Sequence, residues 1–291
     1  MNGYDYLIPK SFTEVWDLNK KFPGAGYIAG GTDLMVRIKQ REIRPRALIS
    51  LRSIPELSGI DIGDTIRLGA MTTITDLIQH PELGRILPVL IQAAKRLGGT
   101  QIRNVATLGG NLCNCSPCAD TALPLLVLEA RVVLKGPEGA REVPLSDFFV
   151  SPGESCLLPG EILTDILLDR PSVDTRSVFM KKGRVRMDLA IASFALLVEI
   201  KSSGPGCSKV RIAAGSVAPV PLRLKEVEQL LENTGISEEI FLNAQKMAEG
   251  IVSPITDIRS TEDYRRRIVG VYLKRALRKL IYTNGEWHKE K

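Results

Sequence analysis

The chain is poor in histidine and in aromatic residues: only His80 and His288 occur, and aromatics make up 5% of 291 positions. Two histidines cannot build a histidine-rich metal centre, and a Ser-His or Cys-His nucleophile would have to rest on His80. His80 stands before a proline in "IQHPEL", where it reads as the end of a helix. No segment offers about 18 uncharged apolar residues, and the N-terminus lacks a basic stretch followed by an apolar run and a small-residue cleavage site. The expectation is a cytoplasmic protein with no membrane span. The familiar nucleotide signatures are missing too: there is no G-x-x-x-x-G-K-S/T and no G-x-G-x-x-G in a strand-to-helix turn.

The net charge of +6 is scattered, with little aromatic residue among the basic positions, so nucleic acid is not the expected partner. The densest basic cluster, "YRRRIVGVYLKRALRK", carries Val269, Leu273, Ala276, Leu277 and Leu280 on one helical stripe. Its arginines and lysines then form the solvated face of a terminal helix. Hydrophobic residues at 44% and charged residues at 25% suit a packed globular chain, and the length suggests two domains.

Local patterns predict a short strand at "YDYLIP" and a helix at "SFTEVWDLNKKF", opened by Ser11 with Glu14 at the reciprocal capping position. "GYIAGGTDLMVRIKQ" then gives a strand, the turn Gly30-Gly31, and a helix capped by Thr32 or Asp33, with "RALISL" as the next strand. The same βαβ-like spacing continues through "IRLGAM", the capped helix "TTITDLIQH" and a longer helix in "LPVLIQAAKRLGG". A second double-glycine turn in "TLGGNL" leads to the apolar helix "ADTALPLLVLEA", and a hairpin follows at "RVVLKGPEGAREVPL". Beyond an irregular connection, "SVFMKK", "LAIASFALLVEI" and "KVRIAAGSV" read as longer strands, with a loop at "SSGPGC". Three helices close the chain. Strands followed by helices predict an α+β domain with an antiparallel sheet, and the boundary is placed near Pro171.

Glycine has no Cβ, so a Gly-Gly turn can bring bare backbone N–H groups against an anionic ligand; alternatively it only makes a tight turn. Two such turns raise the first reading. Between them and the apolar helix lie Cys113, Cys115 and Cys118 at C-x-C-x-x-C spacing. Clustered thiols in a reducing compartment mean metal, redox chemistry or packing.

Taken in order, "IAGGTDLMVRIK", "LGAMTTITDL", "QIRNVATLGGNLCNCSPCADTALPLLVLEA", "DLAIASFALLVEI" and "ITDIRSTEDYRRRIVGVYLKRAL" resemble the FAD-binding medium subunit of the xanthine dehydrogenase and carbon monoxide dehydrogenase family of molybdenum hydroxylases. The resemblance spans essentially the whole chain. It implies an α+β fold: a two-part FAD-binding domain of the vanillyl-alcohol-oxidase-like, PCMH type over residues 1–170, with subdomains of about 1–55 and 56–170, then a smaller C-terminal domain over 171–291. It implies an oxidoreductase component that passes electrons from a small 2Fe-2S subunit through FAD to NAD or another acceptor, beside a molybdopterin-binding large subunit.

Carried over by position, Ala29, Gly30, Gly31, Thr32, Asp33 and Leu34 would surround the FAD pyrophosphate. Thr107, Gly110, Asn111, Ser116 and Asp120 would lie near the ribityl chain and flavin. Ile162 and Lys181 fall where the family has a backbone contact and a basic residue, although "FMKKGR" could slip by one and bring in Lys182. Backbone N–H groups and hydroxyls suit phosphate, and Asn and Asp suit ribityl hydroxyls and ring nitrogens. Thr72, Thr73, Gln101, Arg103 and Asn104 are supporting or interface candidates. The cysteines depart from the family pattern. Cys113, Cys115 and Cys118 supply three thiolates of a needed four, and Cys156 could be the fourth ligand of an iron-sulfur cluster; otherwise they pack beside the flavin, as Cys207 is expected to do. A scaffold without flavin, or one bearing an iron-sulfur cluster, is the alternative reading, and the intact glycine turns and Asp120 favour the flavoprotein.

Overall fold

The computed structural model describes residues 3–200, 206–235, 237–283 and 286–287. His288 and most of the "SSGPGC" loop lie outside the described residues. The chain opens with a parallel three-stranded sheet of β1 (Asp5–Leu7), β2 (Gly26–Ile28) and β3 (Ala47–Ser50), in the order β1-β3-β2. Helix α1 (Phe12–Lys21) links the first two strands. Ser11 accepts the Glu14 N–H at 3.3 Å, but the Glu14 carboxylate reaches Lys10 N, one residue upstream of the expected reciprocal bond. Phe12 and Val15 of α1 pack with Ile49, Leu51, Leu57 and Ile162 in a small separate core. Helix α2 (Leu34–Lys39) follows β2, and the Asp33 side chain makes no capping bond to it.

The βαβ expectation fails beyond this point. Strands β4 (Ile60–Ile62), β5 (Thr65–Gly69), β6 (Arg131–Gly136) and β7 (Gly139–Pro144) join β10 (Ile162–Asp169), which follows the ribbon β8 (Phe149–Ser151) and β9 (Glu154–Ser155). They form one sheet in the order β4-β5-β10-β6-β7, antiparallel at every pair. The hairpin at β6–β7 is as expected. Between β5 and β6 the chain runs through α3 (Ile74–Gln79), α4 (Leu83–Ile86), α5 (Pro88–Ala94), α6 (Thr100–Arg103), α7 (Leu108–Cys113) and α8 (Ala122–Val127). Thr73 and Asp76 form the reciprocal box at the start of α3, and His80 ends that helix. Every residue of α8 is buried, as an all-apolar helix requires.

The C-terminal part is an antiparallel sheet of β11 (Thr175–Lys182), β12 (Ala192–Ile200), β13 (Cys207–Gly215) and β14 (Leu222–Arg223). Helices α9 (Lys225–Asn233), α10 (Glu238–Ile251) and α11 (Glu262–Ile281) complete it. All five apolar stripe residues of α11 are buried. Side chains alternate across a strand, and here both faces are covered. Val178, Phe194, Leu196, Val210 and Ile212 point into the core shared with α9–α11. Phe179, Ala195, Leu197 and Ala213 join the core of the preceding part. Lys181 has the parity of Phe179, so this register sends it toward the preceding part and Lys182 away. Lys181 is buried and Lys182 exposed, which resolves the one-residue ambiguity. Among the described residues no helix is long and apolar enough to cross a membrane.

Candidate cofactor-binding site

The segment after β2 turns at Gly31, whose φ of +74° lies in the left-handed region that favours glycine. Gly30 has a different reason to be glycine. A Cβ there would sit 2.0 Å from the Val105 carbonyl oxygen, so residues 29–31 lie directly against the chain entering α7. Farther along, the ideal Cβ of Gly110 comes 3.5 Å from that of Ala29, and that of Gly109 comes 2.6 Å from Ala70 Cβ. Two glycine pairs far apart in sequence thus form one floor.

The two pairs do different work. Among the described residues the backbone N–H groups of Gly30, Gly31, Thr32 and Asp33 make no hydrogen bond within the fold, so four consecutive donors are free for an anion. In the second motif the expectation of bare N–H groups fails: Leu108 and Gly109 donate to Thr72 and Ala70 carbonyls, Gly110 to Thr107 Oγ1, and Asn111 to the Thr107 carbonyl. "TLGGNL" is the first turn of α7 capped by Thr107. Its glycines allow close approach, Thr107 and Asn111 line the ligand space, and Leu108 and Leu112 are buried in the core. Thr121 Oγ1 donates to Asn111 Oδ1 at 2.6 Å, which leaves the Asn111 amide hydrogens to be offered outward.

These segments border a cavity of about 530 Å³, within the roughly 300–1,000 Å³ range of small-molecule sites. All thirteen positions expected at a cofactor (residues 29–34, 107, 110, 111, 116, 120, 162 and 181) line it. Thr72, Thr73, Gln101, Arg103 and Asn104 do not; Arg103 instead donates to the Leu97 and Gly98 carbonyls. Sequence reasoning missed Tyr27, Leu51, Leu57 and Met71, which make one end apolar, and Met187 and Leu189 at the other. Only the place of Tyr27 just before the first glycine turn could have signalled any of them.

At the end nearer the C-terminal sheet, Lys181 Nζ contacts Asp120 Oδ2 at 2.5 Å and the Arg96 carbonyl at 3.1 Å, with side chains 2% and 7% exposed for Lys181 and Asp120. Arg96 returns a bond to the Lys181 carbonyl. Asp120 Oδ1 is buried with no partner. Burial pushes the Asp120 carboxyl up to about 6, against the opposing pull of Lys181 and Arg96. The Tyr27 hydroxyl is likewise buried without a partner, and burial raises its pKa. Orphaned buried polar atoms are costly, so a ligand bringing a donor to Asp120, an acceptor to Tyr27 and an anion to residues 30–33 fits this cavity.

The iron-sulfur expectation for this chain is corrected. No group of three or more His, Cys, Asp or Glu side chains among the described residues is placed to hold a metal ion. Cys115 sits at φ +45°, is buried, and aims its thiol at the Leu112 carbonyl. Cys118 Sγ accepts from Ser216 Oγ at 3.0 Å. Cys113 and Cys118 line the cavity, whereas Cys115 and Cys156 do not. Burial pushes Cys113 up to about 12 and Cys115 to about 11, reinforced by neighbouring thiols. A bound metal would itself strip those protons, so it is the placement of the side chains that argues against a cluster. Iron and acid-labile sulfide assays on the isolated chain are therefore expected to be negative. Cys207 is buried, but in the core shared with α9–α11 and not at the cavity, so its expected place beside the flavin is corrected.

Two family models match the chain. Residues 2–170 match the FAD binding domain in molybdopterin dehydrogenase, and residues 177–280 match the CO dehydrogenase flavoprotein C-terminal domain. The carbon monoxide dehydrogenase medium chain of Hydrogenophaga pseudoflava is 34% identical over 276 residues, covering 94% of this chain and 96% of that one. A putative xanthine dehydrogenase FAD-binding subunit of Escherichia coli strain K12 is 30% identical over 266 residues, covering 90% and 91%. Among solved structures, a reconstituted carbon monoxide dehydrogenase from Oligotropha carboxidovorans gives a TM-score of 0.91 at 33% identity, covering 96% of this chain and 97% of that one.

Proposed function

The chain belongs to the family of FAD-binding subunits of molybdopterin dehydrogenases, and from that premise we propose that it is the electron-transferring subunit of a heteromeric molybdenum hydroxylase. It would receive electrons from a 2Fe-2S small subunit and pass them through FAD to NAD or another acceptor, while a molybdopterin-binding large subunit oxidises the substrate. The observation that carries this reading is a cavity that combines four free N–H donors on its glycine turn with a buried, half-satisfied carboxylate in its lining.

Bound there, FAD supplies the redox chemistry, since a flavin exchanges electrons singly or in pairs. The protein's part is binding and electrostatics. Residues 30–33 hold the pyrophosphate through backbone N–H groups, which need no side-chain entropy to be fixed. Asn111 and Thr107 serve the ribityl hydroxyls. Asp120 accepts a hydrogen bond at Oδ1, and Lys181 holds the carboxylate in place with its ammonium group. Tyr27 and the leucines near it close the apolar end.

This assignment makes FAD affinity depend on pH. A hydroxyl or ring N–H donated to Oδ1 favours the ionised form of Asp120. Affinity should then rise as pH increases through the Asp120 pKa of about 6, by about tenfold between pH 5 and 7 from the change in ionised fraction. Binding near pH 6 should release protons, which calorimetry in buffers of different ionisation enthalpy measures. Asp120→Asn is expected to flatten the profile, and an unchanged slope would remove Asp120 from the site. The proposal as a whole is tested by co-expressing the chain with its two partner subunits. The expected product is a complex carrying one FAD per copy of this chain; a stable complex without flavin would instead support the scaffold reading.

A further inference from the structure

Outside the cavity lining lies a buried arginine with no assigned role. Arg265 of α11 is 3% exposed. Its Nη1 donates to the Ile191 carbonyl at 2.6 Å and the Ser216 carbonyl at 3.1 Å, and its Nη2 donates to Asp257 Oδ1 at 2.6 Å. Asp257 is built to stay charged. Burial alone would raise its carboxyl, but the Arg259 N–H, the Arg265 guanidinium and the Ser260 N–H outweigh this and hold it at about 2.

The two carbonyls that Arg265 joins do not line the cavity themselves, but each adjoins a different segment that does. Ile191 closes the loop between β11 and β12, its N–H donating to the Lys182 carbonyl at 2.7 Å. That loop lines the cavity with Met187, Asp188 and Leu189. Its other tie to residues 116–120 is a long one, Cys118 Sγ to the Ala190 carbonyl at 3.8 Å; Val185, Met187 and Leu189 are 67%, 64% and 51% exposed, and its internal ion pair, Arg184–Asp188, is exposed at the arginine. Ser216 is bonded to a second lining segment: its N–H donates to the Pro117 carbonyl at 2.7 Å and its hydroxyl to Cys118 Sγ. Ser216 is a non-glycine residue at φ +62°, a conformation that persists only where surrounding bonds enforce it. The segment it touches, residues 116–120, carries Asp120.

We infer that Arg265, held by Asp257, is a positioning residue for the cofactor: it fixes the Ile191 and Ser216 carbonyls so that the 183–190 loop and the 116–120 segment keep their spacing. This rests on the reading of the cavity as an FAD site. Arg265 touches no cofactor atom and acts through the two segments that line the site.

The test uses the full chain with Arg265→Met, Asp257→Asn and, as a control, Arg223→Met. Arg223 also belongs to a buried pair, with Glu228, but does not line the cavity or touch its segments. Hydrogen exchange without FAD should show faster exchange across 183–191 and 116–120 in Arg265→Met, and not in Arg223→Met. FAD dissociation constants should rise about tenfold or more in Arg265→Met, with an altered visible spectrum of the bound flavin, and less in Asp257→Asn, which keeps an acceptor for the guanidinium. Arg265→Lys should recover part of the affinity. Should Arg265→Met fail to fold, Asp257→Asn decides, since its carboxylate is partly exposed. Unchanged exchange in both segments, or FAD affinity that falls in Arg223→Met as far as in the Arg265 and Asp257 variants, overturns the inference. Absence of FAD binding by the unaltered chain would overturn the cofactor reading instead, leaving the exchange result to judge the tether.

Discussion

Gly30→Ala should sharply weaken FAD binding while Gly84→Ala, in α4 and outside the cavity lining, leaves it intact. The added methyl at position 30 would stand 2.0 Å from the Val105 carbonyl oxygen and 2.7 Å from the Val105 carbonyl carbon. Neither is the tip of a flexible side chain. The loop 29–31 must therefore move off the chain that leads into α7, carrying the N–H groups of residues 30–33 with it. Overpacking of this kind costs about 1–3 kcal/mol of stability. The larger effect falls on binding, because all four donors lose their alignment together; a decrease in affinity of about a hundredfold or more is expected. At Gly84 nothing lies within 4 Å of the added carbon, so alanine there should be neutral or slightly stabilising in a helix. Fluorescence titration with FAD and thermal melts of both variants check the contrast.

Lys181→Met is the second substitution with a large expected effect. It leaves Asp120 buried with one oxygen already orphaned and its nearest cation gone. Removing one partner of a buried ion pair costs about 3–5 kcal/mol. Asp120 can escape part of that cost by taking up a proton, so its pKa should climb above the present value of about 6. The sign follows directly: a group whose folded pKa is raised confers stability that is complete below its unfolded pKa and is lost as pH rises through the folded one. Lys181→Met should therefore be least impaired in acid and most impaired at neutral pH and above, and its FAD-binding profile should shift to higher pH. Adding Asp120→Asn should recover stability at pH 7, because the uncompensated charge is removed with its partner. Melting curves of the double-mutant cycle across pH measure the coupling. Additive losses at neutral pH would contradict the paired arrangement.

Much of the fold was legible because its signals are local. Ser11 and Thr73 cap helices as their sequence contexts suggest, and the apolar stripe of α11 is buried where its spacing places it. The second sheet was not legible in the same way. β5 meets β10 nearly a hundred residues later, and no local pattern reveals whether such a pairing is parallel or antiparallel. The C-x-C-x-x-C spacing misled for a similar reason: a single left-handed residue at Cys115 turns its thiol into the core, and spacing carries no backbone sign. At the site, the family resemblance supplied positions, but the pairing of Lys181 with Asp120 depends on strand register and on packing between parts of the chain 61 residues apart. Arg265 could not have been singled out, since in sequence it is one of three adjacent arginines on a basic helix.

The central claim is that electrons enter this chain through a flavin in the described cavity. It is tested most directly by mixing the FAD-loaded chain anaerobically with its chemically reduced 2Fe-2S partner subunit and following the flavin's visible absorbance in a stopped-flow instrument. The account predicts rapid bleaching of the bound flavin, reoxidation on adding the complex's electron acceptor, and no such signal from the Gly30→Ala chain. A flavin that stays oxidised in a demonstrably formed complex, or bleaching of equal extent with Gly30→Ala, would contradict it.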